Sequence, residues 1–331
     1  MYLVIGGTSF IGVYVVDELL AQNKKVMVTG RNQKFKNYYE SKGVQFINLD
    51  ITNRNDFVTI PEIEIEGIIL LAGLLPANST ADLNETENAS EYIEINTIGT
   101  ANVIEFARLR GIKRVISTTS YADVFNSWKE NIAITEDEPR GFLLEGDHAA
   151  YIISKNAATD LMLYYNKQHK MKNVIFRLPP VYGVGPHGSL LINGKMKKSG
   201  LQIFIEKAKN GEDIVIFGNP KLSRDIVYVK DVAKATFMAL DSERAEGLYN
   251  MTSGRPLSLE KQVKDIIDVF GDRKKSSIKY APNIGNNTPS YLFSIEKAKK
   301  DFDFSPDFAN FKKMMMDYKK VEESKVYKNL F

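Results

Sequence analysis

Met1-Tyr-Leu-Val-Ile-Gly-Gly-Thr-Ser-Phe-Ile-Gly12 is the stretch whose reading decides the fold. Tyr2 to Ile5 is an apolar run of strand length. It breaks at Gly6-Gly7, and from Phe10 apolar residues recur at helical spacing through Ile11, Val15 and Leu19. Strand, glycine turn and helix in that order aim backbone N–H groups and a helix N-terminus at a pyrophosphate. Gly6 makes the tight turn, and Gly12 lets the helix pack close to the strand. Glycines in a first turn are common to many α/β proteins. Here strand and helix stand correctly around them, so the turn reads as dinucleotide-binding.

Working outward, strand-length apolar runs recur at 26–28, 44–47, 67–71, 115–117 and 174–177, ending near Asp, Gly, Ser or Pro. Helical periodicity occupies 10–22, 91–110 and 151–170 between them. Repeated βα units predict an α/β fold with a doubly wound parallel sheet. The pattern changes after Pro179-Pro180. A Gly- and Lys-rich stretch at 187–200 precedes a helix at 201–209 and a short strand at 214–217. Residues 227–229 and 248–250 read as strands, and 258–270 and 310–321 as helices. The expected organisation is a dinucleotide-binding domain of residues 1–177 with about 217–252. A smaller mixed α/β substrate domain takes 178–216 with 253–331.

The composition narrows the chemistry. The 331 residues carry a net charge of only +3, spread along the chain, which argues against nucleic acid or membrane partners. Cysteine is absent, which removes disulfides, thiolate chemistry and cysteine-ligated metals. His148, His169 and His187 are scattered, so no metal site is expected. No apolar stretch approaches the roughly 20 residues needed to span a bilayer. The first apolar run flows into the glycine turn without a basic start or cleavage site, so a cytoplasmic location is expected.

Tyr151-Ile-Ile-Ser-Lys155 is the candidate proton-transfer pair. Residues four apart share a helix face, so phenol and ammonium can project into one site. A free phenol with a pKa near 10 shuttles protons poorly at neutral pH, and a neighbouring positive charge favours phenolate. Tyr38-Tyr-Glu-Ser-Lys42 fits the same spacing, but it lies in the polar region after the second strand and reads as a solvated surface pair. Ser117-Thr-Thr-Ser120 closes the fifth strand. A hydroxyl there can orient the proton transfer, or it can merely end the strand and satisfy a turn.

With these residues in view, the chain resembles the extended short-chain dehydrogenase/reductases, in the NAD-dependent epimerase/dehydratase group acting on nucleotide sugars. Gly6-Gly-Thr-Ser-Phe-Ile-Gly12 is similar to that group's Gly-x-x-Gly-x-x-Gly, and Leu49-Asp50-Ile51 resembles its third-strand Asp beside the adenine. Leu71-Ala72-Gly73 resembles the fourth-strand turn, and Asn96-Thr-Ile-Gly-Thr100 the Asn-x-x-Gly-Thr. Arg177-Leu-Pro-Pro-Val-Tyr-Gly183 and Ser223-Arg-Asp-Ile-Val-Tyr-Val-Lys-Asp231 resemble the segments entering the substrate domain, and Ser294-Ile-Glu-Lys-Ala-Lys with Phe304-Ser-Pro306 the C-terminal part.

The resemblance implies roles for these positions. Tyr151 is the acid/base, and Lys155 holds the nicotinamide ribose and lowers the Tyr151 pKa. A strand-five hydroxyl assists: Ser120 counted from the strand start, Thr119 if one residue is inserted before Val124. Gly6, Thr8, Ser9, Phe10, Ile11, Gly12, Arg31, Asp50, Ile51, Leu71, Ala72, Gly73, Asn96, Lys155 and Pro179 fall at cofactor positions, and Arg224 and Tyr182 at substrate positions. Arginine's fork matches phosphate oxygens bidentately, which suits Arg224 to a diphosphate; its alternative is a salt bridge to Asp225 or Asp231.

Four departures refine this picture. Ser9 replaces the middle glycine and costs on the order of 1 kcal/mol if the backbone there is left-handed. Gly30 stands where an NAD-preferring enzyme has an acid, and Arg31 after it can accommodate a 2′-phosphate or simply form a solvated turn. NADP is therefore favoured over NAD. Pro180 replaces an asparagine of many uridine-nucleotide epimerases. Tyr121-Ala122 follow Ser120 where sugar dehydratases have Asp-Glu, so elimination of water lacks its acid and base. The expected activity is a nucleotide-sugar epimerase that oxidises and re-reduces the sugar at C4. The alternatives are an NADPH-dependent nucleotide-4-ketosugar reductase, a reductase of a non-sugar ketone, and a non-catalytic NADP-sensing protein. The loops near 74–90 and 183–200 carry no pattern that names the sugar. Leu161-Met-Leu-Tyr-Tyr165 is apolar most of the way round its helix, which predicts a helix-pairing homodimer.

Overall fold

Seven strands form one wholly parallel sheet: β1 Tyr2–Ile5, β2 Val26–Thr29, β3 Gln45–Ile47, β4 Gly67–Leu70, β5 Val115–Ser120, β6 Val174–Leu178 and β7 Gly247–Asn250. Their order is β7-β6-β5-β4-β1-β2-β3, with Tyr2 paired to Val26 on one side and Gly67 on the other. The computed structural model describes residues 1–76, 89–146, 148–186, 189–192, 195–271, 275–285, 289–328 and 330–331. His187 and most of the loop near 74–90 lie outside them.

Both faces of the sheet are covered, which is why its strands read as continuous apolar runs. The helices are α1 Phe10–Ala21, α2 Lys34–Glu40, α3 Ala89–Tyr92, α4 Gly99–Leu109, α5 Ala149–His169, α6 Gly200–Asn210, α7 Val229–Asp241, α8 Leu259–Phe270, α9 Glu296–Phe302 and α10 Phe311–Ser324. Helices α1 and α7 pack on each other, and Val4, Val28 and Ile69 join their core. On the opposite face Leu3, Ile5, Ile68, Leu70 and Val115 pack with Val103 of α4 and Met162 of α5. Small strand pairs and α6, α8 and α10 lie outside the sheet; Ser223–Arg224 pairs with Leu257–Ser258, and Val227–Tyr228 with Val181–Tyr182. This is the expected doubly wound architecture with its smaller mixed α/β part. No helix among the described residues is long and apolar enough to cross a membrane.

Several elements differ from expectation; helices α7 and α9 and the short strand Ile278–Ala281 were not anticipated. The single helix anticipated over 91–110 is interrupted by a π-helical segment, Ile93–Ile98, between α3 and α4. Helix α2 was not anticipated, because only Phe35 and Tyr39 mark its buried side. It supports the first turn, since the Tyr39 phenol donates to the Gly7 carbonyl.

Candidate functional site

The strand order reverses between β1 and β4, and a crevice at such a point receives the ligand of an open α/β sheet. Gly6 has φ +84°, and a Cβ there would lie 2.2 Å from the Ala72 nitrogen. Leu71 and Ala72 N–H groups both reach the Ile5 carbonyl, at 2.8 and 3.1 Å, closing the end of β4 against β1. A Cβ on Gly12 would meet the Gly6 carbonyl at 2.4 Å. Ser9 does not need a left-handed backbone: it sits at φ −82°, ψ 164° as the N-cap of α1 and accepts from the Gly12 N–H at 3.1 Å. The strain considered for serine therefore does not arise, and the hydroxyl satisfies one orphan donor of the helix. The remaining N-terminal amides of α1 face a cradle kept open by glycine.

Around this cradle the other expected positions take distinct parts. Thr8 rests on Gly30, where a Cβ would come within 2.5 Å of the Thr8 methyl. Arg31 is largely exposed and pairs with Asp50 at 3.3 Å. Burial pushes the Asp50 carboxyl up, but hydrogen bonds from Thr52 and the Arg31 charge outweigh it and leave it below the usual carboxylate range. Ile51 is buried against Gly99, and Pro179 is buried. The Phe10 ring packs under Gly183 and Gly185, so only its backbone is left to face a ligand; Ile11 is half-buried.

Asn96 is fully engaged in holding the site together. Within the π segment its Oδ1 accepts from the Leu74 N–H at 2.8 Å, and its Nδ2 donates to the Leu74 carbonyl and the Ser154 hydroxyl, each at 3.0 Å. Ser154 in turn donates to the Tyr151 carbonyl at 2.7 Å. A Cβ on Gly73 would sit 3.0 Å from Asn96 Oδ1. The bulge thus ties the loop after β4 to the first turns of α5, a use of π-helical geometry common at functional sites.

Tyr151 and Lys155 lie on one face of α5, both buried. Burial draws the Lys155 ammonium down to about 8. Among the described residues it has neither an ion pair nor a hydrogen bond. Burial also pushes the Tyr151 phenol above its ordinary value, helped by the Tyr92 and Tyr121 phenols. The expected lowering of Tyr151 by Lys155 is absent in this arrangement, because loss of water outweighs any help from the ammonium. The two strand-five hydroxyls are separated by their bonding. Ser120 accepts from the Ala122 N–H at 3.2 Å and caps the 3₁₀ turn Tyr121–Ser127. The Thr119 hydroxyl is buried without a partner, and strand alternation from Val115 puts it on the face covered by α5.

The structure leaves Arg224 half-buried, and neither acid considered for it takes it. Asp225 bonds Ser253 and the Phe293 N–H, and Asp231 bonds the Asp307 and Phe308 N–H groups. Burial pushes both of these carboxyls up to about 6. The Arg224 charge instead bears on the phenols of Tyr121, Tyr182 and Tyr291. Tyr121 and Tyr291 were not singled out in the sequence. An aromatic residue inserted straight after the hydroxyl run was the available signal for Tyr121; Tyr291 had none.

Glycines that admit no side chain at a helix N-terminus, an unpaired buried ammonium and an orphan hydroxyl all fit a nicotinamide dinucleotide. Fold and site define a Rossmann-type dinucleotide-binding protein. A family model for the "NAD dependent epimerase/dehydratase family" matches residues 2–252. The chain belongs to this family, in its extended short-chain dehydrogenase/reductase type. A Methanocaldococcus jannaschii protein carrying the provisional name UDP-glucose 4-epimerase is 27% identical over 270 residues, covering 82% of this chain and 81% of its own. The UDP-glucose 4-epimerase of Thermotoga maritima, solved with UDP-glucose, superposes with a TM-score of 0.76 at 22% identity, over 97% of this chain and 99% of that one. The Thermus thermophilus UDP-glucose 4-epimerase, solved with NAD, gives 0.71 at 23% identity, over 96% and 98%.

Proposed function

We propose that this protein is a nucleotide-sugar epimerase working at the sugar C4. The observation that carries the reading is the buried set of Tyr151, Lys155 and Thr119 at the carboxyl edge of a parallel sheet, the last two without a side-chain partner among the described residues. The Arg224 charge bears on the nearby phenols of Tyr121 and Tyr182. The names of the relatives above support it. The amides of Thr8 and Ile11, with Asp50 and Lys155, would hold the dinucleotide, which supplies a reversible hydride carrier when bound. The Gly7 and Ser9 amides are spent inside the turn on the Thr29 and Gly6 carbonyls. Tyr151 takes the proton of the C4 hydroxyl and later returns it. Lys155, whose charge does not lower the Tyr151 phenol in this arrangement, would favour the phenolate once both face the bound dinucleotide. Thr119 orients the hydroxyl, and Arg224 holds the diphosphate with Tyr182 beside it. Ser120 accepts the cap from the Ala122 N–H, which leaves its own O–H free to donate, so it stands as the alternative to Thr119. Dehydration finds no acid here: Asp123, the first carboxylate after Ser120, is buried in a 3.0 Å ion pair with Arg177.

The test is to incubate the purified protein, without added nicotinamide, with uridine-, thymidine-, guanosine- and cytidine-diphosphosugars. Separated products and nicotinamide absorbance are followed together. Interconversion of two nucleotide sugars with no net change in absorbance is expected. Turnover only with stoichiometric NADPH oxidation would overturn the epimerase and install the ketosugar reductase, which Gly30 and Arg31 favour by leaving room for a 2′-phosphate. NADP as the preferred cofactor rests on those two residues alone. The Arg31–Asp50 pair weighs against it, since the carboxylate already meets part of the guanidinium charge and would stand beside an incoming 2′-phosphate.

The domain division at 178, 217 and 253 belongs to the same proposal, and so does a homodimer. Ile98, Leu109, Ile153 and Tyr164 are exposed on the π segment, α4 and α5, an apolar set suited to pairing with a second copy. A dimer mass in light scattering is expected, and a monomer at micromolar concentration would refute it.

A further inference from the structure

Directly after the β5 hydroxyls stands Tyr121, which the proton-transfer scheme does not use. Its ring lies flat on Trp128, with centroids 5.0 Å apart and planes at 13°. Tyr291 leans on it at 5.1 Å, Trp128 and Tyr291 meet at 4.5 Å, and Phe293 closes an edge at 6.5 Å. The turn beneath is anchored by the Ser120 cap and the buried Asp123–Arg177 pair. Three neighbouring rings and two anchors leave this phenol little freedom to move.

The same cluster holds a polar atom with unmet bonding. Trp128 Nε1 is buried without a hydrogen-bond partner among the described residues, while the Tyr291 hydroxyl is engaged by the Tyr121 phenol. The Tyr291 side chain is almost fully buried, at 1% exposure. Buried donors without acceptors cost free energy, and native structures keep them where a ligand or water completes them. Ala122, next to Tyr121, packs in the cluster of Tyr151. Tyr291, which leans on Tyr121, donates its N–H to the Ser223 carbonyl at 3.2 Å, next to Arg224. Tyr121 thus has Tyr151 and Arg224 as near neighbours. Those two residues mark the ends of the proposed substrate: the carbon that exchanges hydride, and the diphosphate. A pyranose ring is what joins them.

We propose that Tyr121, held by Trp128 and Tyr291, is the wall on which the sugar ring lies, and that it touches the substrate between its C4 and its anomeric end. The inference rests on the nucleotide-sugar reading. An aromatic face accepts the C–H side of a pyranose, and a phenol rim can bond a ring hydroxyl. Tyr121 thereby selects for the sugar and does not contribute to grip on the nucleotide.

Calorimetric titration of the purified protein as isolated, with UDP-glucose, dTDP-glucose and each bare nucleoside diphosphate, tests this. Replacing Tyr121 by leucine is expected to weaken the bound sugar nucleotide about tenfold while leaving its bare nucleotide within about twofold. In turnover the same variant should raise KM and hold kcat within about threefold, because Tyr151 is untouched. Tyr121→Phe keeps the stack and should retain most of the affinity, which also guards against a leucine variant that merely fails to fold. Equal losses for sugar nucleotide and bare nucleotide, or no loss for either, would overturn the role of Tyr121. Wild-type protein that binds neither UDP-glucose nor dTDP-glucose would instead remove the nucleotide-sugar reading, and the inference with it.

Discussion

Tyr38/Lys42 and Tyr151/Lys155 share one spacing and opposite surroundings. At the end of α2, Lys42 donates to the Tyr38 hydroxyl at 2.6 Å, and both side chains reach Asp17. Burial draws Lys42 down, but its bonds to Asp17 and Tyr38 outweigh this and hold it above its ordinary value. On α5, Lys155 has no carboxylate to meet among the described residues, and burial is what acts on it. The first pair is satisfied and spent. The second keeps a charge and a phenol in store for something that is not protein, and a motif of two residues cannot tell these states apart.

The sharpest way to break the contrast is to remove each phenol oxygen in turn. Tyr151→Phe should lower turnover by about 10²–10⁴-fold, the usual worth of a positioned proton donor, while cofactor binding measured by fluorescence titration persists. Unchanged turnover would end the role given to Tyr151. A smaller effect is expected from pH. Lys155 carries its charge below about pH 8 and loses it above. Accordingly kcat/KM should fall on the alkaline side, by at most about tenfold per pH unit. Lys155→Arg keeps the charge at every accessible pH and should erase that limb; a limb that stays in place assigns it to another group. The smallest effect belongs to Tyr38→Phe, the internal control, which should hold turnover within about twofold because its half-buried pair is already met by Asp17.

Much of the parallel sheet could be read from residue order, because a strand buried on both faces must be apolar throughout, as Tyr2–Ile5 and Gly67–Leu70 are. The glycine turn was equally legible, since φ +84° at Gly6 leaves no other residue type comfortable. The π segment was not. One extra residue in a turn is averaged away by any window of helical periodicity, so Asn96 was placed at the cofactor while its amide spans Leu74 and Ser154. Thr119 against Ser120 stays open for a related reason: alternation along β5 puts Thr119 on the α5 face, while the Ser120 hydroxyl accepts from the Ala122 N–H and keeps its own O–H to donate. Tyr121 and Tyr291 lie far apart in the chain and meet only once the two-residue strands 133–134 and 292–293 pair. Strands that short leave no period to detect.

Trp128 is the sole tryptophan of the chain, and it is stacked on the residue proposed to carry the sugar. All indole emission from this protein therefore originates beside Tyr121. Its wavelength reports the polarity there, and its intensity reports the packing of Tyr121, Phe125 and Tyr291 around it. A reduced nicotinamide absorbs in the band where indole emits, so a filled site can quench this single lamp by energy transfer. Occupancy of both halves of the cleft becomes visible in one optical channel, without any label being attached.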